Sequence, residues 1–223
     1  MDPPLGVVTF LFTDVEGSTR RWESDADGMR AALLAHDEVL HTAIEDHDGF
    51  LFKHTGDGVC AAFSSPKSAV DAAVAAQRRL RLPVRMGLAT GEAELRDSDY
   101  FGSVLNRAAR VMAAGHGGQV LLLESTASLL AGVDLVDLGP RRLRDLPAPV
   151  GVFQVSNAAP SSRRTVVRED WALVALVGGG RRHEPRRRGR RSRGSDHHFA
   201  GTAAEFSEVE DQQRARGSGH RRI

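Results

Sequence analysis

The sequence predicts an α+β fold: a ferredoxin-like core of the split βαβ type, extended by extra strands at its C-terminal end. Residues 6–155 alternate between strand-like and helix-like patterns, in the order βα, ββ, αβ and then αββ. The apolar fraction of 41% is enough for a core. Aromatic residues make up only 5%, so aliphatic side chains must do most of the packing.

Apolar patterning and turn chemistry predict the first elements. "VVTFLFTD" (7–14) is mostly apolar and β-rich, which is typical of a strand buried on both faces. Residues 26–48 follow an approximate helical stripe. "FLFKH" (50–54) and "GVCAAF" (58–63) flank the turn "TGDG" (55–58), so we expect a hairpin there.

The second half of the core begins with the clearest helix start in the chain. Ser65 is a typical N-cap, Pro66 suits the first turn, and alanines follow. The later elements are expected as a strand at 83–95, a helix at 102–115 ended by Gly115, a strand at 119–125, a short helix at 125–131, and strands at 133–139 and 150–155.

Charge divides the chain into two parts. Residues 157–223 carry 15 arginines and no lysine against 8 acidic residues, whereas residues 1–156 carry 15 basic and 21 acidic residues. The run "RRHEPRRRGRRSRG" (181–194) has almost no apolar content. We therefore expect one domain at 1–156 and a basic, disordered tail at 157–223. Nucleic-acid binding would have to depend on this tail. We do not expect such binding, because the tail lacks interleaved aromatics.

Cysteine usage and hydropathy bear on the compartment. Cys60 is the single cysteine, so no intrachain disulfide can form and a reducing compartment is indicated. The N-terminal "MDPPLG" does not resemble a signal peptide, and no apolar run approaches the ~20 residues that cross a bilayer. We expect a cytoplasmic protein without a membrane partner.

Two carboxylates stand at points where a ligand could bind. Asp14 ends the first strand, and Asp57 lies in the hairpin turn. In a ferredoxin-like core these two elements can be neighbours, and two nearby carboxylates repel unless a cation lies between them. Mg²⁺ bound by carboxylates and substrate phosphates resolves that conflict. Gly17, Gly56 and Gly58 would let the backbone approach a triphosphate closely.

Three ordered motifs resemble a known family. "FLFTDVEGSTRRWE", "KHTGDGVCAAF" and "DYFGSVLNRAAR" are similar to the class III nucleotidyl cyclase catalytic domain, and particularly to bacterial adenylate cyclase-like domains. The resemblance covers roughly residues 6–155. It implies conversion of ATP to 3′,5′-cyclic AMP and pyrophosphate, assisted by two Mg²⁺ or Mn²⁺ ions per site. It also implies a head-to-tail homodimer whose two sites each take residues from both chains.

The resemblance assigns metal and base contacts. Asp14 and Asp57 match the aspartates that bridge two metal ions, and the carbonyl of Val15 would help to hold the second ion. Lys53 matches the lysine that donates to adenine N1, and Asp99 its partner, which accepts from the N6 amine. Guanylate cyclases generally carry Glu and Cys at these two places, so this pair favours ATP.

The remaining assignments concern ribose and phosphate. Asn106 and Arg110, one helical turn apart, resemble the asparagine that orients the ribose and the arginine that stabilises the transition state. The family often has a triphosphate-binding lysine near the end of the domain. Here "LGPRRLRDLP" offers Arg144, with Arg142 as the alternate.

Taken singly, each of these residues has an ordinary structural explanation. Asp14 could cap a helix, Asp57 is a preferred turn residue, and Lys53 and Arg110 could be solvated surface residues. Asp99 is expected in a polar loop. The alternative function is a catalytically weak or inactive cyclase-like domain that binds nucleotide and regulates. A third hypothesis is a nucleic-acid-associated module that uses the tail.

Overall fold

The computed structural model describes residues 2–156, and the tail predicted at 157–223 lies outside the described residues. No helix in residues 2–156 is both long and apolar enough to cross a membrane. The elements of this range are β1 (Gly6–Val15), α1 (Ser18–Ser24), α2 (Ala26–Glu45), β2 (Phe50–His54), β3 (Val59–Phe63), α3 (Pro66–Arg79), β4 (Val84–Arg96), β5 (Asp99–Phe101), α4 (Ser103–Ala113), β6 (Val120–Leu123), α5 (Glu124–Ala127), β7 (Leu135–Arg141) and β8 (Val150–Val155).

The strands form one sheet in the order β2-β3-β1-β4-β6-β8-β7, and β5 pairs with β4 outside this path. Neighbours are antiparallel except β4 and β6, which are parallel. β3 lies between β1 and β2, and β1 lies between β3 and β4. Each βαβ unit is therefore split by a strand of the other, which confirms the predicted ferredoxin-like core with additional C-terminal strands.

Helices α2 and α3 cover one face of the sheet. α2 begins after Asp25, whose side chain accepts from the backbone N–H of Gly28. Its apolar stripe, including Leu40 and Ile44, packs in the same cluster as Leu11 of β1. The expected start of α3 is confirmed, because Ser65 caps that helix and a proline opens it.

Helix α4 lies against the other face of the sheet and depends on glycine. A Cβ on Gly87 of β4 would overlap the backbone of Met112 in α4, and one on Gly91 would lie 3.2 Å from the side chain of Val104. The helix buries a small apolar stripe that includes Ala108. Because Gly87 has no side chain, α4 approaches the sheet at backbone distance.

Three elements differ from expectation. α1 was not predicted, because its polar sequence buries no residue and so shows no apolar stripe. The short helix expected at 125–131 is α5, which begins one residue earlier and ends at Ala127. The polar loop expected around Asp99 is instead strand β5. It follows a two-residue turn in which Asp97 and Ser98 both have positive φ, a conformation that usually carries glycine.

Candidate active site

The end of β1 and the hairpin turn are in direct contact, which the sequence analysis allowed for in a ferredoxin-like core. The backbone N–H of Val15 donates to the carbonyl of Asp57 at 3.2 Å. A Cβ on Gly58 would overlap the Thr13 carbonyl, so only glycine permits this approach. Asp14 and Asp57 therefore belong to touching segments. Asp14 does not cap a helix, because α1 has Gly17 at that position.

Arg85, which the sequence analysis missed, is paired with Asp14. The two residues are opposite each other in the β1–β4 ladder and both are buried. Nε and Nη2 of Arg85 each lie 2.6 Å from Oδ2 of Asp14, and Nη1 donates to the carbonyl of Ala113 at 3.2 Å. A lone arginine within the apolar strand "VRMGLATG" is the signal that could have identified it.

The donors around Asp14 suit a hard divalent cation by type. Two carboxylates and the carbonyl of Val15 are oxygen ligands of the kind that Mg²⁺ and Mn²⁺ accept. Among residues 2–156 no group of three or more His, Cys, Asp or Glu side chains could hold a metal. An ion held by these donors would therefore need further ligands, of the kind that substrate phosphates supply, and it would share Asp14 with Arg85.

The structure brings the predicted base-reading residues together. Nζ of Lys53 on β2 lies 3.8 Å from Oδ2 of Asp99 on β5, and the two side chains are 35% and 37% exposed. The other oxygen of Asp99 accepts from the backbone N–H of Tyr100 at 2.8 Å. A cation and a carboxylate, each about one-third exposed, therefore stand side by side where a planar ligand could reach both.

A bulge in β2 determines which face Lys53 occupies. Leu51 pairs with Ala61, but Lys53 pairs with Cys60, so Phe52 is an extra residue in the ladder. In an unbroken ladder Lys53 would lie opposite Val59, which packs in the core under α2 and α3. The bulge instead aligns Lys53 with Cys60. Burial raises the pKa of the Cys60 thiol to about 12, and the nearby Lys53 and Asp99 charges act on it in opposite directions.

An aromatic cluster supports this pair. Phe52 precedes Lys53 and Tyr100 follows Asp99, and their ring centroids are 5.0 Å apart in an edge-to-face arrangement. Phe10 of β1 lies 5.1 Å from Tyr100 and 5.9 Å from Phe52. The cluster therefore ties β2 and β5 to the centre of the sheet.

The remaining predicted residues lie on helix α4 and in the segment that follows β7. Asn106 is exposed, and Arg110 follows one turn later. Nη2 of Arg110 lies 2.6 Å from Oδ2 of Asp145, and Nε of Arg144 lies 3.6 Å from the same oxygen. The structure thus brings Arg110 and Arg144 together at Asp145, a residue that the sequence analysis did not select. Arg142, the alternate to Arg144, is exposed in the same segment.

The relatives that match this chain include adenylate cyclases and an uncharacterized protein. The family model of the adenylate and guanylate cyclase catalytic domain matches residues 2–154. An uncharacterized protein of Mycobacterium tuberculosis is 40% identical over 162 residues, which cover 69% of this chain and 57% of that protein. Receptor-type adenylate cyclase GRESAG 4.3 of Trypanosoma brucei brucei is 29% identical over 226 residues, covering 76% of this chain and 18% of that protein. The chain thus spans less than two thirds of the length of these relatives.

Solved structures agree with the fold. Adenylate cyclases from Trypanosoma brucei in their monomeric state match with a TM-score of 0.68 and 27% identity, over 75% of this chain and 96% of theirs. An adenylate/guanylate cyclase/hydrolase from Silicibacter pomeroyi matches with a TM-score of 0.58 and 26% identity, over 67% and 95% of the two chains. Because the family model covers nearly all of the described residues, the chain belongs to the adenylate and guanylate cyclase catalytic domain family.

Proposed function

We propose that the protein is an adenylate cyclase, which converts ATP to 3′,5′-cyclic AMP and pyrophosphate. The observation that carries the choice of ATP is the pairing of Lys53 Nζ with Asp99 Oδ2 at 3.8 Å. Adenine offers an acceptor at N1 beside a donor at N6, so it matches an adjacent ammonium and carboxylate. Guanine presents the opposite polarity on that edge, and the same pair would reject it.

The other residues would act on ribose and phosphate. Asp14, Asp57 and the carbonyl of Val15 would hold two Mg²⁺ or Mn²⁺ ions, which neutralise triphosphate charge and make the 3′-hydroxyl more acidic. Asn106 would hold the ribose so that this hydroxyl faces the α-phosphorus. Arg110 would donate to the phosphoryl oxygens as negative charge builds up on them, and Arg144 would bind the triphosphate.

We further propose that the active form is a head-to-tail homodimer with two sites. Each chain contains the metal residues once and the base, ribose and phosphate residues once. In such a dimer, Asp14 and Asp57 of one chain would face Lys53, Asn106 and Arg110 of the other. A closed pair with twofold symmetry would then complete both sites at once.

A second candidate is a domain that binds nucleotide and regulates without turnover. It is favoured by two contacts that already engage proposed functional charges within one chain, namely Asp14 with Arg85 and Arg110 with Asp145. If these pairs do not open to substrate, the residues could remain present while the reaction stays slow.

Measurement of cyclic AMP formed from ATP with Mn²⁺ or Mg²⁺ separates the two candidates. We expect turnover by the unaltered chain and a loss on the order of 10²-fold or more in Asp57→Ala, since that change removes a metal ligand. Asp71→Ala, which removes an exposed carboxylate on α3, is the matched control and should retain activity. If the folded, dimeric protein binds ATP and forms no cyclic AMP, the second candidate is correct.

A further inference from the structure

Asp145 lies between two arginines that are proposed to bind phosphate. Nη2 of Arg110 and Nε of Arg144 lie 2.6 and 3.6 Å from the same oxygen, Oδ2. Guanidinium groups bind carboxylate and phosphate oxygens with similar geometry. The Asp145 carboxylate therefore contacts these two side chains as a phosphate oxygen would.

Local structure holds Asp145 beside α4. The neighbouring Leu143 is buried, with 2% of its surface exposed, and its carbonyl accepts from the backbone N–H of Leu146 at 3.3 Å. Asp145 has a φ of 59°, a left-handed conformation that aspartate adopts more readily than most residues. The buried Leu143 and this turn therefore hold the segment in which Asp145 contacts Arg110.

The contact is open enough to be exchanged for another anion. The side chain of Arg110 is 22% exposed, that of Asp145 is 58% exposed, and that of Arg144 is 75% exposed. Ion pairs with this much solvent access contribute little to stability. A triphosphate carries several negative charges, so it can replace a single carboxylate on both arginines.

We propose that Asp145 is an internal counterion of the active site. It holds Arg110 and Arg144 in place before substrate binds, and it releases both arginines to the incoming triphosphate. The inference rests on the proposed function, which gives Arg110 and Arg144 their phosphate roles. Asp145 is a positioning residue in this scheme, since it acts through the arginines and competes with the anion that they are meant to bind.

Anion affinity tests the proposal without requiring turnover. The probe is inorganic tripolyphosphate, measured by titration calorimetry on the full chain at low ionic strength. Asp145→Asn keeps the shape of the side chain and removes its charge. We expect its Kd for tripolyphosphate to fall by about two- to fivefold, the range that a partly exposed ion pair corresponds to. The gain should shrink as salt rises, because these charges are screened.

Two further variants make the result specific. Asp71→Asn removes one exposed carboxylate that pairs with Lys67 on α3, across the sheet from α4, and should leave the affinity unchanged. In an Arg110→Ala background, Asp145→Asn should give a clearly smaller gain. The proposal is overturned if Asp145→Asn binds tripolyphosphate no tighter than the unaltered chain does. It is also overturned if Asp145→Asn gives the full gain in affinity in the Arg110→Ala background, or if neither the unaltered chain nor Asp145→Asn binds tripolyphosphate. Failure of the proposed function shows separately, as absent cyclic AMP formation.

Discussion

Some residues of this domain place a charged side chain in the buried interior, where the loss of hydration costs free energy. Asp14 and Arg85 are both buried and opposite each other on neighbouring strands. A hydrogen bond from Nε and an ion-pair contact from Nη2, both 2.6 Å from one carboxylate oxygen, compensate for the lost hydration of both groups. Removing either partner alone would leave the other buried without this ion pair.

Arg85→Ala should lower the free energy of unfolding by about 3–5 kcal/mol, because the buried Asp14 carboxylate then loses its ion pair with the guanidinium group. Urea denaturation followed by circular dichroism measures this change. Arg30→Ala, which breaks an exposed pair with Asp27, is the control and should cost at most about 1 kcal/mol. Equal effects of the two substitutions would contradict the buried-pair explanation.

The base-reading pair gives a second prediction at this scale. Lys53→Glu combined with Asp99→Cys should shift the ratio of kcat/KM for ATP over GTP towards GTP, by a factor on the order of 10–100, since donor and acceptor polarity is reversed. Steady-state kinetics with both nucleotides measures it. Lys67→Glu alters the only other lysine of the chain, which lies on α3, and should leave the ratio unchanged. An unmoved ratio in the double variant would show that the pair does not read the base.

The residues that motif spacing could and could not identify differ in a physical way. Asp14, Asp57 and Lys53 stand in short local motifs, so their types and spacing were visible. Arg85 and Asp145 were missed, because each acquires its meaning from a partner distant in sequence, 71 residues away for Arg85. Sheet pairing and packing bring those partners together, so no short stretch of the sequence contains both members of either pair.

At the scale of elements, the position of α4 depends on the strand beneath it. The helix carries both Asn106 and Arg110, so a displacement of the helix displaces both groups. Gly87 allows the close approach, since any side chain there meets the backbone of Met112 and not a flexible side chain. A well-packed interface of this kind has little capacity to absorb an added methyl group.

Gly87→Ala should therefore destabilise the fold by about 1–3 kcal/mol and reduce kcat more than it changes KM for ATP. Thermal unfolding and steady-state kinetics check the two effects. Gly91→Ala meets only the side chain of Val104, at 3.2 Å, and should cost less on both measures. A Gly87→Ala enzyme with unaltered kcat would show that α4 adapts without moving its functional groups.

The hairpin shows how far element prediction reached. Apolar runs on either side of "TGDG" predicted β2 and β3 correctly. The bulge at Phe52, which places Lys53 on the face of Cys60, was not predicted. β3 pairs with β1 as well as with β2, so the position of β1 also affects the register of the hairpin. The sequence of the hairpin itself does not contain that third strand. β5 was not predicted either, because the short turn that precedes it lacks the glycine that usually identifies such a turn.

At the scale of the whole molecule, the split βαβ order was predictable because helix and strand periods alternate along the chain. The proposed homodimer extends this scale to two chains. Its sites would draw their metal residues from one chain and their ribose and phosphate residues from the other. The predicted tail at 157–223 lies outside the described residues and has no part in these proposed sites.

Mixing two inactive variants tests the dimer. Asp57→Ala and Asn106→Ala damage opposite halves of the proposed sites, so a mixed dimer would have one intact site. An equimolar mixture should recover about a quarter of the unaltered activity if chains exchange freely, because half of the dimers are mixed. Cyclic AMP formation measures the recovery. Asp57→Ala mixed with Asp14→Ala damages the same half twice and should recover none. Mixed dimers, verified by affinity tags, that remain inactive would contradict the shared-site arrangement.

The third nitrogen of Arg85 has a consequence for communication between sites. While Nε and Nη2 bind Asp14, Nη1 binds the carbonyl of Ala113 at the end of α4. In the proposed dimer, Asp14 serves one site and α4 of the same chain serves the other. A single guanidinium group would then join the metal carboxylate of one site to the catalytic helix of its twin. Occupancy of one site would bias the other, and the two sites of the dimer would respond to ATP as a coupled pair.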